Sequence, residues 1–141
     1  MTDDKRVYSG GCLCGAVTYE IDGPLRDVVA CHCGQCRKTS GHHVAATQGK
    51  LAGLRVTGED RITWFRSSDV AQRAFCSSCG SHLFWQRFDD DNVSIFAGSL
   101  DQPTGLRMVS HIHAESAGDY YTIDDGLPQM SQAALRPVVW A

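Results

Sequence analysis

The sequence has no long hydrophobic run and no cluster of basic residues. Its apolar stretches are broken by charge or glycine within a few positions, whereas a membrane-spanning helix needs about 18 or more consecutive apolar residues. The 13 Lys and Arg residues are scattered and the formal net charge is -3, so the basic surface of a nucleic-acid-binding protein is missing. We therefore expect no membrane span and no nucleic-acid partner.

The N-terminal segment has no apolar core of signal-peptide length, because residues 1–6 lead directly into Val7 and Tyr8. Internal repeats and low-complexity tracts are also missing from the sequence. A chain of 141 residues has the usual size of one domain. We expect a single domain over residues 1–141 in the reducing cytoplasm, where clustered cysteines more often bind metals or catalyse reactions than form disulfides.

Cysteine, by contrast, is plentiful: seven cysteines fall into three short motifs. The motifs are Cys12-x-Cys14, Cys31-x-Cys33-x-x-Cys36 and Cys76-x-x-Cys79. A disulfide framework would leave one thiol over, and such close pairs are poorly placed to join distant loops. The spacing therefore favours metal ligation, with free or redox-active thiols as the alternative.

The motifs divide into a four-sulfur set and a three-sulfur set. Cys31, Cys33 and Cys36 can turn three sulfurs toward one point within a tight loop, and three protein ligands leave a zinc ion an open position for water or substrate. The remaining pairs each supply two sulfurs, so together they close a tetrahedral structural zinc site. The sequence thus predicts two zinc ions per chain, one structural (Cys12, Cys14, Cys76, Cys79) and one catalytic (Cys31, Cys33, Cys36).

Short alternating segments separated by glycine and polar turns predict a mainly β protein of antiparallel strands. One helical turn is predicted after Cys33 and another over Ser131–Leu135. Aromatic residues at strand spacing, such as Phe65, Phe84 and Phe96, are interpreted as core and cavity wall. The predicted strands are 17–21, 28–32, 43–48, 54–57, 62–66, 71–76, 82–86, 93–97 and 108–113.

Polar residues directly after the three-cysteine motif are pocket candidates. Arg37, like its neighbour Lys38, could lower a thiol pKa or bind a carboxylate, although solvated surface charge is the alternative. Thr39 and Ser40 could donate to an oxyanion or simply shape the turn.

His42 and His43 lie close enough to the same motif to line a pocket, and one of them could move a proton. The other histidines receive structural interpretations. His32 is expected to point away from the metal, and His82 to lie on a strand surface. His111 and His113 alternate along a strand and are expected on one half-solvated sheet face.

Three motifs resemble those of the glutathione-dependent formaldehyde-activating enzyme family. Centromere protein V shares the domain of this family. The resemblance extends over two further segments and covers nearly the whole chain. It implies a zinc-binding fold of the β-tent type and matches the two ligand sets named above. The segments are GCLCG (11–15), HCGQCRKTSG (32–41), FCSSCG (75–80), VSIFAGSLD (93–101) and DDGLP (124–128).

The resemblance also implies a reaction: a carbon–sulfur lyase that joins glutathione and formaldehyde into S-(hydroxymethyl)glutathione, and the reverse. An open zinc with three thiolate ligands favours a soft thiolate as its fourth ligand and would hold a thiol ready to attack a small aldehyde. The alternative is a non-catalytic, zinc-stabilised binding module in which both metals are structural. A small thiol and a small aldehyde are the expected partners, and the oligomeric state is not predicted.

Overall fold

The structure is a computed structural model that describes residues 5–131. Within that range it contains eleven strands, one α-helix (α1, Gly34–Ser40) and four short 3-10 turns. The predicted helix over Ser131–Leu135 falls outside the described residues. The strands are β1 Val7–Gly11, β2 Thr18–Asp22, β3 Val28–Cys31, β4 Val44–Lys50, β5 Leu54–Thr57, β6 Ile62–Arg66, β7 Ala71–Cys76, β8 His82–Arg87, β9 Asn92–Phe96, β10 Met108–Ile112 and β11 Gln129–Met130.

The strands form two sheets, and the prediction of a mainly β fold is confirmed. The small sheet has the order β1-β2-β5, and the large sheet has the order β11-β10-β3-β4-β9-β8-β7-β6. Most neighbours are antiparallel, as predicted, while β10 runs parallel to both β3 and β11. The reason is the long connection from β9, which carries the chain across the sheet before it pairs, as parallel strands require.

All nine predicted strands are present, with ends that differ by at most two residues, while β1 and β11 were not predicted. Strand β11 is only two residues long, and β1 contains two glycines, which sequence rules read as a turn. At Gly10 the fold requires glycine. A Cβ atom there would lie 2.3 Å from the Ser99 carbonyl oxygen and 2.5 Å from the Tyr19 hydroxyl.

Two apolar clusters lie on opposite faces of the large sheet. The larger cluster joins the two sheets and includes Tyr19, Phe84 and Ile95. The smaller one includes Cys36, Val44 and Phe96. Ile95 and Phe96 are consecutive on β9, and consecutive side chains of a strand point to opposite faces. Of the predicted aromatic core, Phe84 is fully buried but Phe65 is exposed, because Phe65 lies on β6, the edge strand of the large sheet.

This arrangement places the two cysteine sets on different faces. Cys76 belongs to the larger cluster, with Cys12 and Cys79 packed against it. Cys36 belongs to the smaller cluster, with Cys31 and Cys33 packed against it. Within the described range, no helix is both long and apolar enough to cross a membrane.

Candidate metal centres

The four-cysteine centre joins the start of the chain to the β7–β8 hairpin. Cys12 and Cys14 follow β1, Cys76 ends β7, and Cys79 lies in the turn to β8. The Sγ atoms of Cys12 and Cys14 are 3.6 Å apart, and those of Cys14 and Cys76 are 3.8 Å apart. Sulfurs bound tetrahedrally to zinc at 2.3 Å are about 3.8 Å apart. The donor set and its spacing therefore fit one zinc ion.

Backbone and hydroxyl donors support the sulfurs of this centre. The Val17 amide donates to Cys12 Sγ at 3.3 Å. A hydrogen bond between the Ser81 hydroxyl and Cys79 Sγ, 3.2 Å long, lowers the pKa of the Cys79 thiol to about 5. Gly15 and Gly80 turn the chain at φ values of 81° and 80°, a conformation that glycine adopts at no steric cost. Four ligands close the site, so no coordination position is left for a substrate.

The three-cysteine centre is built where β3 meets α1. Cys31 ends β3, Cys33 is the N-cap of α1, and Cys36 lies in its first turn, with its amide donating to Cys33 Sγ at 3.4 Å. The three sulfurs lie within 4.8 Å of one another. Among residues 5–131, no fourth His, Cys, Asp or Glu ligand atom joins this group. The group fits a metal ion with three protein ligands and one open position.

The environment of these three thiols shifts their pKa values in opposite directions, upward for Cys31 and Cys36 and downward for Cys33. Hydrogen bonds from the thiols of Cys31 and Cys36, together with backbone amides, lower the pKa of Cys33. Val44 and Phe96 form a buried apolar cluster with Cys36, and Cys31 and Cys33 pack against it. The loop therefore combines three sulfur atoms able to hold a metal with an apolar wall.

Arg73 approaches this centre from β7, and sequence reasoning missed it. Its side chain is only 5% exposed. Nη2 contacts Cys36 Sγ at 3.4 Å and Gln35 Oε1 at 3.5 Å. Strand alternation in the sequence could have identified Arg73. It shares one face of β7 with Ala71 and Phe75, whereas a face in contact with solvent would carry polar residues.

A cavity of about 150 Å³ opens beside Arg73. Thr39 of α1 and His82 of β8 lie in its wall, which is otherwise mostly aromatic. Burial and the neighbouring charge of Arg73 lower the pKa of His82. A larger cavity of about 430 Å³ lies at the turns near Asp22 and Lys50 and includes none of the cysteines or histidines, so we assign it no chemistry.

A chain of hydrogen bonds runs from the three-cysteine loop to the protein surface. His32, between Cys31 and Cys33, is buried, and its Nδ1 bonds to the Tyr121 hydroxyl. Its Nε2 lies 2.9 Å from His111 Nδ1, and His111 Nε2 lies 2.8 Å from an Asp125 carboxylate oxygen. His32 is thus part of this chain and of neither cysteine group, as expected, while the roles of Tyr121 and Asp125 were not predicted.

Asp125, at the surface end of this hydrogen-bond chain, determines which group donates and which accepts in each hydrogen bond. The hydrogen bond from His111 lowers the pKa of Asp125, so the carboxylate only accepts. Burial lowers the pKa of His32 to about 4, which keeps its ring neutral. When His111 is also neutral, both rings carry their proton on Nε2. Tyr121 then donates to His32, His32 to His111, and His111 to Asp125.

The predicted pocket residues are only partly brought together. Thr39 lines the small cavity, although its hydroxyl donates to the Gln35 carbonyl oxygen at 2.8 Å. Ser40 donates to the Cys36 carbonyl oxygen at 2.6 Å and so closes α1. Arg37 and Lys38 lie in the last turn of α1.

His42 and His43 join an aromatic cluster around His32. His42 bonds to the Tyr120 hydroxyl at 2.7 Å. The ring centroids of His43 and His32 are 4.8 Å apart. Burial and the neighbouring histidines lower the pKa of His43. His43 therefore lies beside the three-cysteine loop through its contact with His32, and His42 packs against His43.

The expectations for the remaining histidines need correction. His111 is 4% exposed, whereas His113 follows the end of β10 with a positive φ of 53°, so the two do not share a solvated sheet face. Pairing of β10 with β3 buries His111 against His32. His82 is half-buried rather than on the strand surface, and its ring stacks on Phe96 at a centroid distance of 5.7 Å.

The fold and the two centres define a class: a mainly β protein with one closed cysteine site and one three-cysteine site, each able to hold a metal ion. The family model described as "Glutathione-dependent formaldehyde-activating enzyme" matches residues 7–116. The chain belongs to this family, which confirms the resemblance seen in its motifs.

Two individual proteins are similar to this chain. An uncharacterised lyase from Schizosaccharomyces pombe is 28% identical over 78 residues, which are 55% of this chain and 56% of the relative. The chain thus spans about half the length of that curated relative. The crystal structure of a Rhodobacter sphaeroides protein superimposes with a TM-score of 0.58 and 26% identity, covering 72% of this chain and 99% of the other.

Proposed function

We propose that this protein is a zinc-dependent carbon–sulfur lyase of the S-(hydroxymethyl)glutathione synthase type, acting in the cytoplasm as a single domain over residues 1–141. Its partners are a small thiol, glutathione or a close analogue, and formaldehyde or a related small aldehyde. One observation carries the proposal: the two cysteine groups differ in ligand number. A purely structural protein has no need of a second centre that lacks a fourth protein ligand.

The ligand roles follow from that difference. Cys12, Cys14, Cys76 and Cys79 would hold a structural zinc, and Cys31, Cys33 and Cys36 a catalytic one. Zinc bound to three thiolates supplies a soft, open position that keeps a thiol ionised near neutral pH.

The reaction is an addition without oxidation or reduction. The thiol sulfur forms a bond to the aldehyde carbon, and the π pair of the carbonyl group moves to oxygen. The proton lost by the thiol balances the proton gained by that oxygen. In the reverse direction, the hydroxyl proton is removed and the carbon–sulfur bond breaks.

Protein residues would orient and protonate the reactants. The apolar wall formed by Val44 and Phe96 would limit the access of water to the sulfur atom of the bound thiol. His43, which contacts His32 and has a buried Nδ1 atom with no hydrogen-bond partner in the described chain, is our candidate for moving the proton of the adduct hydroxyl.

The first test is zinc stoichiometry of the purified protein, with and without glutathione, together with zinc X-ray absorption. We expect two zinc ions per chain and an added sulfur neighbour at one of them when glutathione is present. We also expect faster equilibration of glutathione, formaldehyde and their adduct by NMR. A single zinc, or a second zinc that ignores thiols, would contradict the proposal and favour a zinc-stabilised binding module.

A further inference from the structure

Arg73 is a buried cation without a carboxylate partner among the described residues. It is 5% exposed, and the ion pairs found within residues 5–131 do not include it. Nη2 reaches Cys36 Sγ and the Gln35 amide oxygen. Nε and Nη1 are buried and have no hydrogen-bond partner in the described chain. A guanidinium group is always charged and costs several kcal/mol to bury unless a counter-charge is close.

The three-cysteine centre is the counter-charge that the contacts provide. Of the groups that Arg73 contacts, Cys36 is the one able to carry negative charge, and its sulfur lies 3.4 Å from Nη2. A dication held by three thiolates leaves the group with one net negative charge. The positive charge of Arg73 compensates that charge inside the apolar cluster of Cys36 and Phe96.

We propose that Arg73 is a positioning residue that makes the open site selective for anionic ligands, thiolates above all. A thiolate at the open position raises the net negative charge of the group from one to two. The positive charge of Arg73 brings this net negative charge back to one. A neutral ligand adds no charge to the group and needs no such compensation. Arg73 also lies in the wall of the small cavity, so its positive charge attracts an anion that enters this cavity.

The inference rests on the proposed function only in naming thiolates as the preferred anionic ligands. The experiment measures binding to the zinc-loaded, full-length protein by titration calorimetry, not turnover. Its probes are glutathione, 2-mercaptoethanol, azide and imidazole. 2-Mercaptoethanol is a thiol without carboxylates, azide is an anion without sulfur, and imidazole is a neutral ligand.

We expect Arg73→Met to weaken both thiols and azide about tenfold or more, since a unit charge this close is worth at least that much at an effective dielectric constant near 20. Imidazole affinity should stay within about twofold by the same charge argument. Arg73→Lys, which keeps the charge, should restore part of the anion affinity. Arg61→Met is the matched control because Arg61 is exposed and bonds to Ser78 beside the other centre.

Each outcome decides the inference. Zinc retained at two ions per chain in Arg73→Met shows that the variant has folded. If its thiol and azide affinities equal those of the wild type, or if imidazole is weakened equally, the inference is wrong while the proposed function stands. If the wild type binds azide but no thiol, and Arg73→Met loses azide, the inference holds and the proposed function fails. If the wild type binds none of the four probes, both are wrong.

Discussion

At Tyr19, a single hydroxyl group links the two sheets. Tyr19 lies on β2 of the small sheet, and its hydroxyl is 2.6 Å from Ser99 Oγ in the turn after β9 of the large sheet. Its ring packs edge-on against Phe84 at 5.1 Å. Burial raises the pKa of Tyr19 to about 12. Because neither metal centre includes this residue, its titration can be studied apart from zinc.

We expect an alkaline loss of stability that Tyr19→Phe removes. The unfolded chain releases the tyrosine proton near pH 10, whereas the folded protein keeps it to about pH 12. Unfolding is therefore favoured as pH rises through this window, by about 3 kcal/mol in total. Urea unfolding at several pH values measures this slope. The exposed control Tyr120→Phe should keep it, and an unchanged slope in Tyr19→Phe would contradict the assignment.

At the scale of elements, the chain Tyr121–His32–His111–Asp125 joins β3, β10 and the segment before β11. The bond between His32 and His111 lies across the parallel pairing of β3 with β10. Asp125 also accepts the Leu127 amide at 3.0 Å, which shapes the turn into β11. Because His32 lies between Cys31 and Cys33, the same hydrogen-bond chain holds the three-cysteine loop in place.

Asp125→Ala should weaken this hydrogen-bond chain at its surface end. The substitution removes the acceptor of the buried His111 Nε2 group, and we expect a loss of about 2 kcal/mol in the free energy of unfolding. Nitrogen NMR of the wild type above neutral pH should show both His32 and His111 protonated on Nε2. In the variant, the slowly exchanging proton of His111 should disappear. The neighbouring exposed residue provides the control, since Asp124→Ala should change stability by less than about 0.5 kcal/mol. Equal effects of both variants would contradict the role given to Asp125.

At the scale of the whole molecule, the two cysteine centres contribute unequally to the stability of the fold. The four-cysteine centre joins the small sheet to the large one, and Cys76 is completely buried in the cluster between them. The three-cysteine centre connects only neighbouring segments of the chain, from β3 to α1. Loss of the first centre therefore opens the contact between sheets, and loss of the second does not.

Cys76→Ala should abolish cooperative thermal unfolding, because a structural zinc site contributes its binding energy to folding. Cys33→Ala should keep one zinc and a cooperative transition, losing about 1 kcal/mol with the helix N-cap, while thiol binding and activity disappear. Zinc content and melting curves of both variants measure the difference. Equal unfolding of the two variants would show that the division into structural and catalytic centres is wrong.

The sequence by itself determined nine of the eleven described strands and the cysteine sets, because these depend on local periodicity and spacing. The alternation in Ala71–Cys76 and the Cys31-x-Cys33-x-x-Cys36 motif are visible without a fold. Their grouping into four and three follows from ligand number alone.

Only the tertiary structure decided what surrounds the three-cysteine loop. Arg73 lies far from Cys36 in the sequence, and only the packing of α1 on the large sheet brings them into contact. The sequence predicts His111 on a half-solvated sheet face, because strand alternation defines two faces but does not say which of them another strand or loop covers. The parallel pairing of β10 with β3 covers it and completes the chain to Asp125. Such contacts between distant segments depend on the order of strands in the sheet, which local patterns do not encode.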